Sequence, residues 1–103
     1  MITNLTPHTI HFLDREFPPS GTVARCVEET TPLFSLAGMP IVAREYGEVK
    51  DLPEARPGDW FIVSHMCRVA LPSRLDLLSP GDLARDEEGN ITGCLNFVAN
   101  REL

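Results

Sequence analysis

Apolar residues occur along this chain in short runs that proline and glycine interrupt, a pattern typical of short β-strands joined by turns. Thr9–Leu13 is predicted to be a strand that ends at the polar turn Asp14–Glu16. Pro18–Gly21 is a strong turn signal, because proline fixes φ and glycine permits positive φ. Thr22–Glu28 then alternates as a strand does, with successive side chains on opposite faces.

The middle of the chain predicts a β-hairpin. Leu33–Leu36 and Met39–Tyr46 are apolar segments on either side of Ala37 and Gly38. Pro40 then belongs at a strand start or at a sheet edge, because proline cannot donate to a ladder of hydrogen bonds. A polar connection is predicted from Gly47 to Gly58.

The second half of the chain predicts the clearest buried strand and one helix. Trp60–Val63 is continuously apolar and follows a turn. Ser64 is a suitable N-cap for a short helix over His65–Leu71, which Pro72 ends. Leu75–Leu78 is a further apolar segment.

A final hairpin is predicted from Leu83–Asp86 and Ile91–Val98, with Glu87–Asn90 at its tip. Taken together, the pattern predicts a mainly β fold with one short helix. The expected architecture is a small barrel-like or rolled antiparallel sheet that forms a single domain over residues 1–103.

Composition narrows the classes of partner. A net charge of −6 disfavours binding to a nucleic acid polymer, which needs a basic face. The apolar runs are far shorter than the roughly 20 residues of a membrane span, so no membrane association is expected. The first residues lack the basic and apolar regions of a secretory signal. Three cysteines and no signal of export predict reduced thiols.

The sequence contains no strong catalytic or metal-binding motif. His8 and His11 would point to opposite faces of one strand, and no zinc spacing is present. Ser64 and His65 are adjacent, which rarely gives a catalytic triad. No phosphate-binding glycine loop and no paired His-x-Thr motif occur. We therefore predict no cofactor, no metal and no catalytic residue, and we expect a binding protein more than an enzyme.

Eight of the nine basic residues are arginines, with Lys50 the exception. The planar guanidinium group suits phosphate or carboxylate, so loops that carry arginine can bind a compact anion where they converge. Ordinary surface ion pairs and turns also explain the same residues, since these are the default uses of such side chains.

Several segments resemble a family of small proteins encoded by tailed phages and prophages. The resemblance begins at Asn4–His8, continues through Pro18–Arg25, and returns at Asp76–Gly81 and Arg85–Gly89. It covers most of the chain in order. It implies a phage context, and hence the cytoplasm of the infected bacterial host, but no particular reaction.

This context predicts a non-catalytic sponge, an anti-defence protein that sequesters a small phosphorylated, nucleotide-type signal of bacterial antiphage defence. The protein would act as a monomer or a homo-oligomer. The residues predicted to bind phosphate or hydroxyl groups are His8, Ser20, Arg25, Arg74, Asp76, Ser79 and Arg85. Tyr46 or Trp60 could stack on a base. Two alternatives stay open, a protein-interaction or structural module and a small phosphodiesterase that uses carboxylates.

Overall fold

The computed structural model describes residues 1–101, which form ten strands and one α-helix. Positions 102 and 103, the end of the predicted domain, lie outside the described residues. The strands are β1 (Ile2–Asn4), β2 (Ile10–Phe12), β3 (Arg15–Phe17), β4 (Arg25–Leu36), β5 (Met39–Lys50), β6 (Trp60–Ile62), β7 (Leu77–Pro80), β8 (Leu83–Arg85), β9 (Ile91–Cys94) and β10 (Phe97–Ala99), and helix α1 spans His65–Ala70.

The first sheet holds the core and has the strand order β1-β6-β7-β10. Strand β6 pairs in parallel with both β1 and β7, and β10 pairs antiparallel with β7. The central strands β6 and β7 have neighbours on both sides, and Ile62 and Leu77 on them are fully buried. The predicted strand at Trp60–Val63 is thus confirmed, although Trp60 itself is 42% exposed.

The hydrophobic core is small. Its buried cluster consists of Leu5, Ala24, Phe61, Val63, Cys67 and Leu77. Helix α1 contributes Cys67 and packs against β4, β5 and β7. Ser64 is its N-cap, as predicted, and the Ser64 hydroxyl accepts a hydrogen bond from the Cys67 backbone N–H at 3.3 Å. No helix among residues 1–101 has the length and apolar character needed to cross a membrane.

The second sheet has the strand order β3-β2-β9-β8 and contains the predicted C-terminal hairpin as β8–β9. The predicted strand Ile91–Val98 is divided, because β9 ends at Cys94 and Phe97–Ala99 forms β10 in the first sheet. Strands β2 and β9 approach closely: a Cβ atom at Gly93 would lie 2.5 Å from the His11 carbonyl oxygen, so this position needs glycine. Phe97 of the first sheet packs against Phe12 and Phe17 of the second, with ring centroids 6.3 and 6.0 Å apart. This aromatic cluster joins the two sheets.

The predicted barrel-like or rolled antiparallel sheet is replaced by three open sheets within residues 1–101. Two of them are mixed, because β1–β6, β6–β7 and β2–β9 are parallel pairs. Parallel pairing joins strands that are distant in sequence, so it cannot be read from adjacent hairpin signals. The longest hairpin forms a sheet of its own and so does not close the other two.

That hairpin, β4–β5, is called the arm below. Its turn at Ala37 and Gly38 is as predicted, and both residues have positive φ, 49° and 79°. Its strands are longer than predicted, since β5 continues to Lys50 into the expected polar connection. Only the base of the arm packs on the core, through Cys26 and Val49.

The arm makes the molecule extended. The Cα radius of gyration is 16.4 Å, and the principal extents are 49 × 40 × 31 Å. A compact domain of this length has a radius of gyration of about 13 Å. Nine residue positions of β4, from Glu28 to Leu36, span about 30 Å at the usual rise per residue of a strand.

Candidate functional site

The Asn4–His8 segment, where the phage resemblance begins, is organised by a buried amide. The Asn4 side chain donates to the carbonyl oxygens of His8 and Phe17, both at 2.8 Å, and accepts from the backbone and hydroxyl of Thr6. The residue is only 3% exposed. This motif therefore shapes the loop through its own hydrogen bonds.

Three predicted ligand residues lie on two adjoining segments near this loop. His8 is exposed at the end of the first segment, and Ser20 and Arg25 are exposed on the second. Two backbone hydrogen bonds join the segments, from Ser20 N–H to the Asn4 carbonyl and from Ala24 N–H to the Leu5 carbonyl. The Ser20 hydroxyl makes a local turn with Thr22.

Two further predicted residues satisfy each other. Arg74 donates from Nε and Nη2 to the two carboxylate oxygens of Asp76, each at 2.8 Å, and Nη2 also donates to the Pro53 carbonyl. Both side chains are largely covered, at 21% and 15% exposure. The hydrogen bond from Arg74 lowers the pKa of the Asp76 carboxyl and correspondingly raises the pKa of the Arg74 guanidinium. The pair anchors the start of β7 to the Pro53 segment.

The remaining two predicted residues lie apart from these. Ser79 is 1% exposed, and its hydroxyl accepts a hydrogen bond from Arg68 Nε at 2.8 Å. Arg85 donates to the Gly89 carbonyl within the exposed tip of the β8–β9 hairpin. The fold thus brings together Arg74 with Asp76, and places His8, Ser20 and Arg25 on adjoining segments, while Ser79 and Arg85 have separate surroundings.

Arg68 and Asn100 form a polar network that the sequence did not indicate. Arg68 also donates to the Asn100 side-chain carbonyl, and the Asn100 amide donates to the carbonyls of Arg68, Leu71 and Arg74. These bonds satisfy carbonyl groups at the end of helix α1 and in the loop that follows. Within this network, the hydrogen bond from Arg68 gives the buried Ser79 hydroxyl a partner and links β7 to α1. The role of Ser79 in the structure is therefore to support this contact.

A cavity of about 220 Å³ opens between the second sheet and the end of β7. Its lining is mostly apolar and consists of Thr9, Ile10, His11, Pro80, Leu83, Ile91, Gly93 and Cys94. Burial raises the pKa of the Cys94 thiol, whose Sγ donates to the His11 carbonyl at 3.4 Å. None of the seven predicted ligand residues lines this cavity, and drug-sized ligands usually occupy about 300–1,000 Å³.

The arm presents the largest group of uncovered apolar side chains. Residues directly opposite each other in an antiparallel pair share one face, so the register defines the two faces of the arm. From the tip inward, the pairs on one face are Leu36–Met39, Phe34–Ile41, Thr31–Ala43 and Glu29–Glu45. We call this side the apolar face. Leu36, Phe34 and Met39 are 58%, 59% and 55% exposed.

The opposite face of the arm is mixed in character. Its pairs, from the tip inward, are Ser35–Pro40, Pro32–Val42, Thr30–Arg44 and Glu28–Tyr46. Leu33 is the extra residue of a β-bulge between Pro32 and Phe34, and it is 56% exposed. The large apolar side chains are therefore concentrated on the apolar face and the bulge.

The accessible surface of the whole chain is correspondingly large. It measures 7521 Å², whereas a folded monomer of 11.4 kDa exposes about 5,800 Å². The difference of about 1,700 Å² exceeds the roughly 800 Å² that one partner buries in a standard protein–protein interface. This excess counts polar and apolar surface together. The clustered exposed side chains of Phe34, Leu36 and Met39 are its apolar part at the arm tip, and exposed apolar clusters mark interaction sites.

Sequence reasoning predicted the hairpin but not its exposure. Alternation of apolar and polar residues indicates which side chains share a face of a strand. It does not indicate whether that face is buried in the core or exposed on a protruding hairpin, because both give the same sequence pattern. The one available signal was the length of the hairpin: continuous β-compatible sequence from Arg25 to Lys50 is longer than the short strands elsewhere could cover.

Comparisons with models of known families, with curated proteins and with solved structures found no match. The resemblance to small phage and prophage proteins therefore remains a prediction from the quoted motifs.

Proposed function

We propose that this protein is an interaction module of phage origin that binds a protein with a complementary apolar surface through the apolar face of its arm. The observation that carries the proposal is the exposure of Phe34, Leu36 and Met39 on one face of a hairpin whose outer part leaves the core. Covering these large apolar side chains with a partner removes apolar surface from water, which drives association.

Photo-crosslinking at the arm tests this function. A benzophenone amino acid replaces Phe34 in bacterial cells that carry the gene in its native genomic context, and the matched control replaces Leu13, which is 78% exposed in the turn between β2 and β3. We expect discrete protein adducts from position 34 and none from position 13. Equal or absent adducts at the two positions would overturn the proposal.

A nucleotide-type signal remains the second candidate ligand, and the adjoining placement of His8, Ser20 and Arg25 favours it. Guanidinium and imidazole groups on neighbouring loops suit a phosphate. Under this alternative the purified protein depletes one member of a panel of cyclic nucleotides and releases it unchanged on heating. Arg25→Ala should abolish depletion of this nucleotide, and the control Arg44→Ala, on β5 of the arm, should retain it. If mass spectrometry finds every member of the panel undepleted, the signals tested are excluded as ligands.

A further inference from the structure

We infer that the partner of the apolar face is a second copy of this chain, and that two arms stack face to face. The two-fold axis lies between the two copies and passes between their Phe34–Ile41 pairs. This inference rests on the proposed function, because it names the protein that the arm binds. It follows from the order of side-chain sizes along the apolar face.

On the apolar face, two pairs of large apolar residues at the tip are followed by one pair of small residues. The tip pair Leu36–Met39 is large, the next pair Phe34–Ile41 is large, and the third pair is Thr31–Ala43. On β5 the tip pair and the small pair each lie two residues from Ile41. A two-fold axis between the two facing middle pairs therefore places the large tip pair of each arm over the small pair of the other arm.

In this arrangement the apolar faces of the two arms have complementary shapes, as protein interfaces require. A strand face packs against another at about 10 Å, and large side chains fill the space above small ones. Two-fold pairing also gives both copies the same environment. A face with a large pair and a small pair on either side of its middle pair can satisfy that condition with itself.

The acidic pair Glu29–Glu45 fixes how far the arms overlap. These two glutamates lie directly opposite each other, next to the small pair and on the same face. Further sliding would bring the apolar tip of one arm over two carboxylates of the other, and burying unpaired charges is costly. In the inferred register the glutamates remain just beyond the partner's tip, in water.

The amount of uncovered surface agrees with a self-associating monomer. The whole chain exposes about 1,700 Å² more total surface than an ordinary monomer of its mass, whereas one partner in a standard interface buries roughly 800 Å². The interface is confined to the outer part of the arm, and we expect a reversible dimer in the micromolar range.

Neighbouring residues on opposite faces of β5 give a matched test. Ile41 lies on the apolar face and Val42 on the other, and both are β-branched residues of the same strand. Sedimentation velocity from about 1 to 100 µM covers the range expected for a transient interface. We expect the wild type to form dimers, Ile41→Glu to raise the dimer dissociation constant at least tenfold, and Val42→Glu to change it less than threefold.

A second measurement separates loss of association from loss of the arm. Ile41→Cys, in a chain that also carries Cys26→Ser, places a thiol on the apolar face beside the axis. Because the facing strand pairs lie about 10 Å apart, too far for a disulfide, a short bis-maleimide is used to link the thiols of two copies. It should link Ile41→Cys into a covalent dimer and should not link Val42→Cys in the same background. A wild type that stays monomeric at 100 µM, or equal effects of the two glutamates with equal crosslinking of the two thiols, would overturn the inference. Adducts from position 34 to other proteins alone would overturn it too, while leaving the proposed function intact.

Discussion

At the scale of single residues, the same polar residue types that suit a ligand also build this fold. Arg74 and Asp76 form a largely covered pair with two hydrogen bonds, and Asn4 makes four contacts that shape the first loop. A guanidinium or amide in the sequence cannot distinguish these roles, because the chemistry of the group is identical in both.

The Arg74–Asp76 pair makes stability depend on pH. Because the folded pKa of Asp76 is below its ordinary value of 3.8, its contribution is fully present above that value and is lost as the pH falls through the folded pKa. We expect Asp76→Asn to lower the free energy of unfolding by about 1–2 kcal/mol at pH 7, as for a hydrogen bond to a charged group.

Urea unfolding measures this effect. The difference between wild type and Asp76→Asn should stay constant down to about pH 4 and shrink below it. Asp14→Asn, in the exposed turn after β2, should change the free energy of unfolding by less than about 0.5 kcal/mol. A difference that grows on acidification would contradict the assigned role of the pair.

At the scale of elements, the short strands and the arm have different energetic roles. Strands β6 and β7 bury Phe61, Ile62 and Leu77 and supply the core. The outer arm is held by its own ladder of hydrogen bonds and by cross-strand side-chain contacts. Its Glu29–Glu45 pair opposes like charges, which weakens an isolated hairpin rather than stabilising it.

Removal of the outer arm should therefore leave the core folded. We consider a variant in which residues 30–44 are replaced by Asn-Gly, so that Glu29 and Glu45 flank a two-residue turn and Cys26 and Val49 remain on the core. We expect its free energy of unfolding to lie within about 1 kcal/mol of the wild type, since few core contacts are lost.

The measurement is urea unfolding together with an amide NMR spectrum. Resonances of β6, β7 and α1 should keep their chemical shifts, and the dimer seen by sedimentation velocity should disappear. An unfolded variant would mean that the outer arm is part of the cooperative folding unit, contrary to its exposure.

At the scale of the whole molecule, a small core supports a long extension. The Cα radius of gyration of 16.4 Å reflects the protruding arm, whose tip leaves Phe34, Leu36 and Met39 uncovered in the monomer. The cavity beside Cys94, at about 220 Å³, is smaller than the roughly 300–1,000 Å³ that is usual for drug-sized ligands. Association through the arm is the role that the overall shape favours.

The sequence by itself determined the local elements. Glycine at a turn, serine before a short helix and apolar runs between prolines act through neighbouring residues, so the hairpins at Ala37–Gly38 and Glu87–Asn90 and helix α1 were predictable.

Only the tertiary structure decided the rest. The parallel pairs β1–β6 and β2–β9 join residues more than fifty positions apart, and their pairing depends on the packing of the whole chain rather than on local pattern. Whether arginines converge and whether Phe34 is covered are decided in the same way. Burial depends on segments that are distant in sequence. The sequence of an apolar segment is therefore the same whether its side chains lie in the core or on the surface.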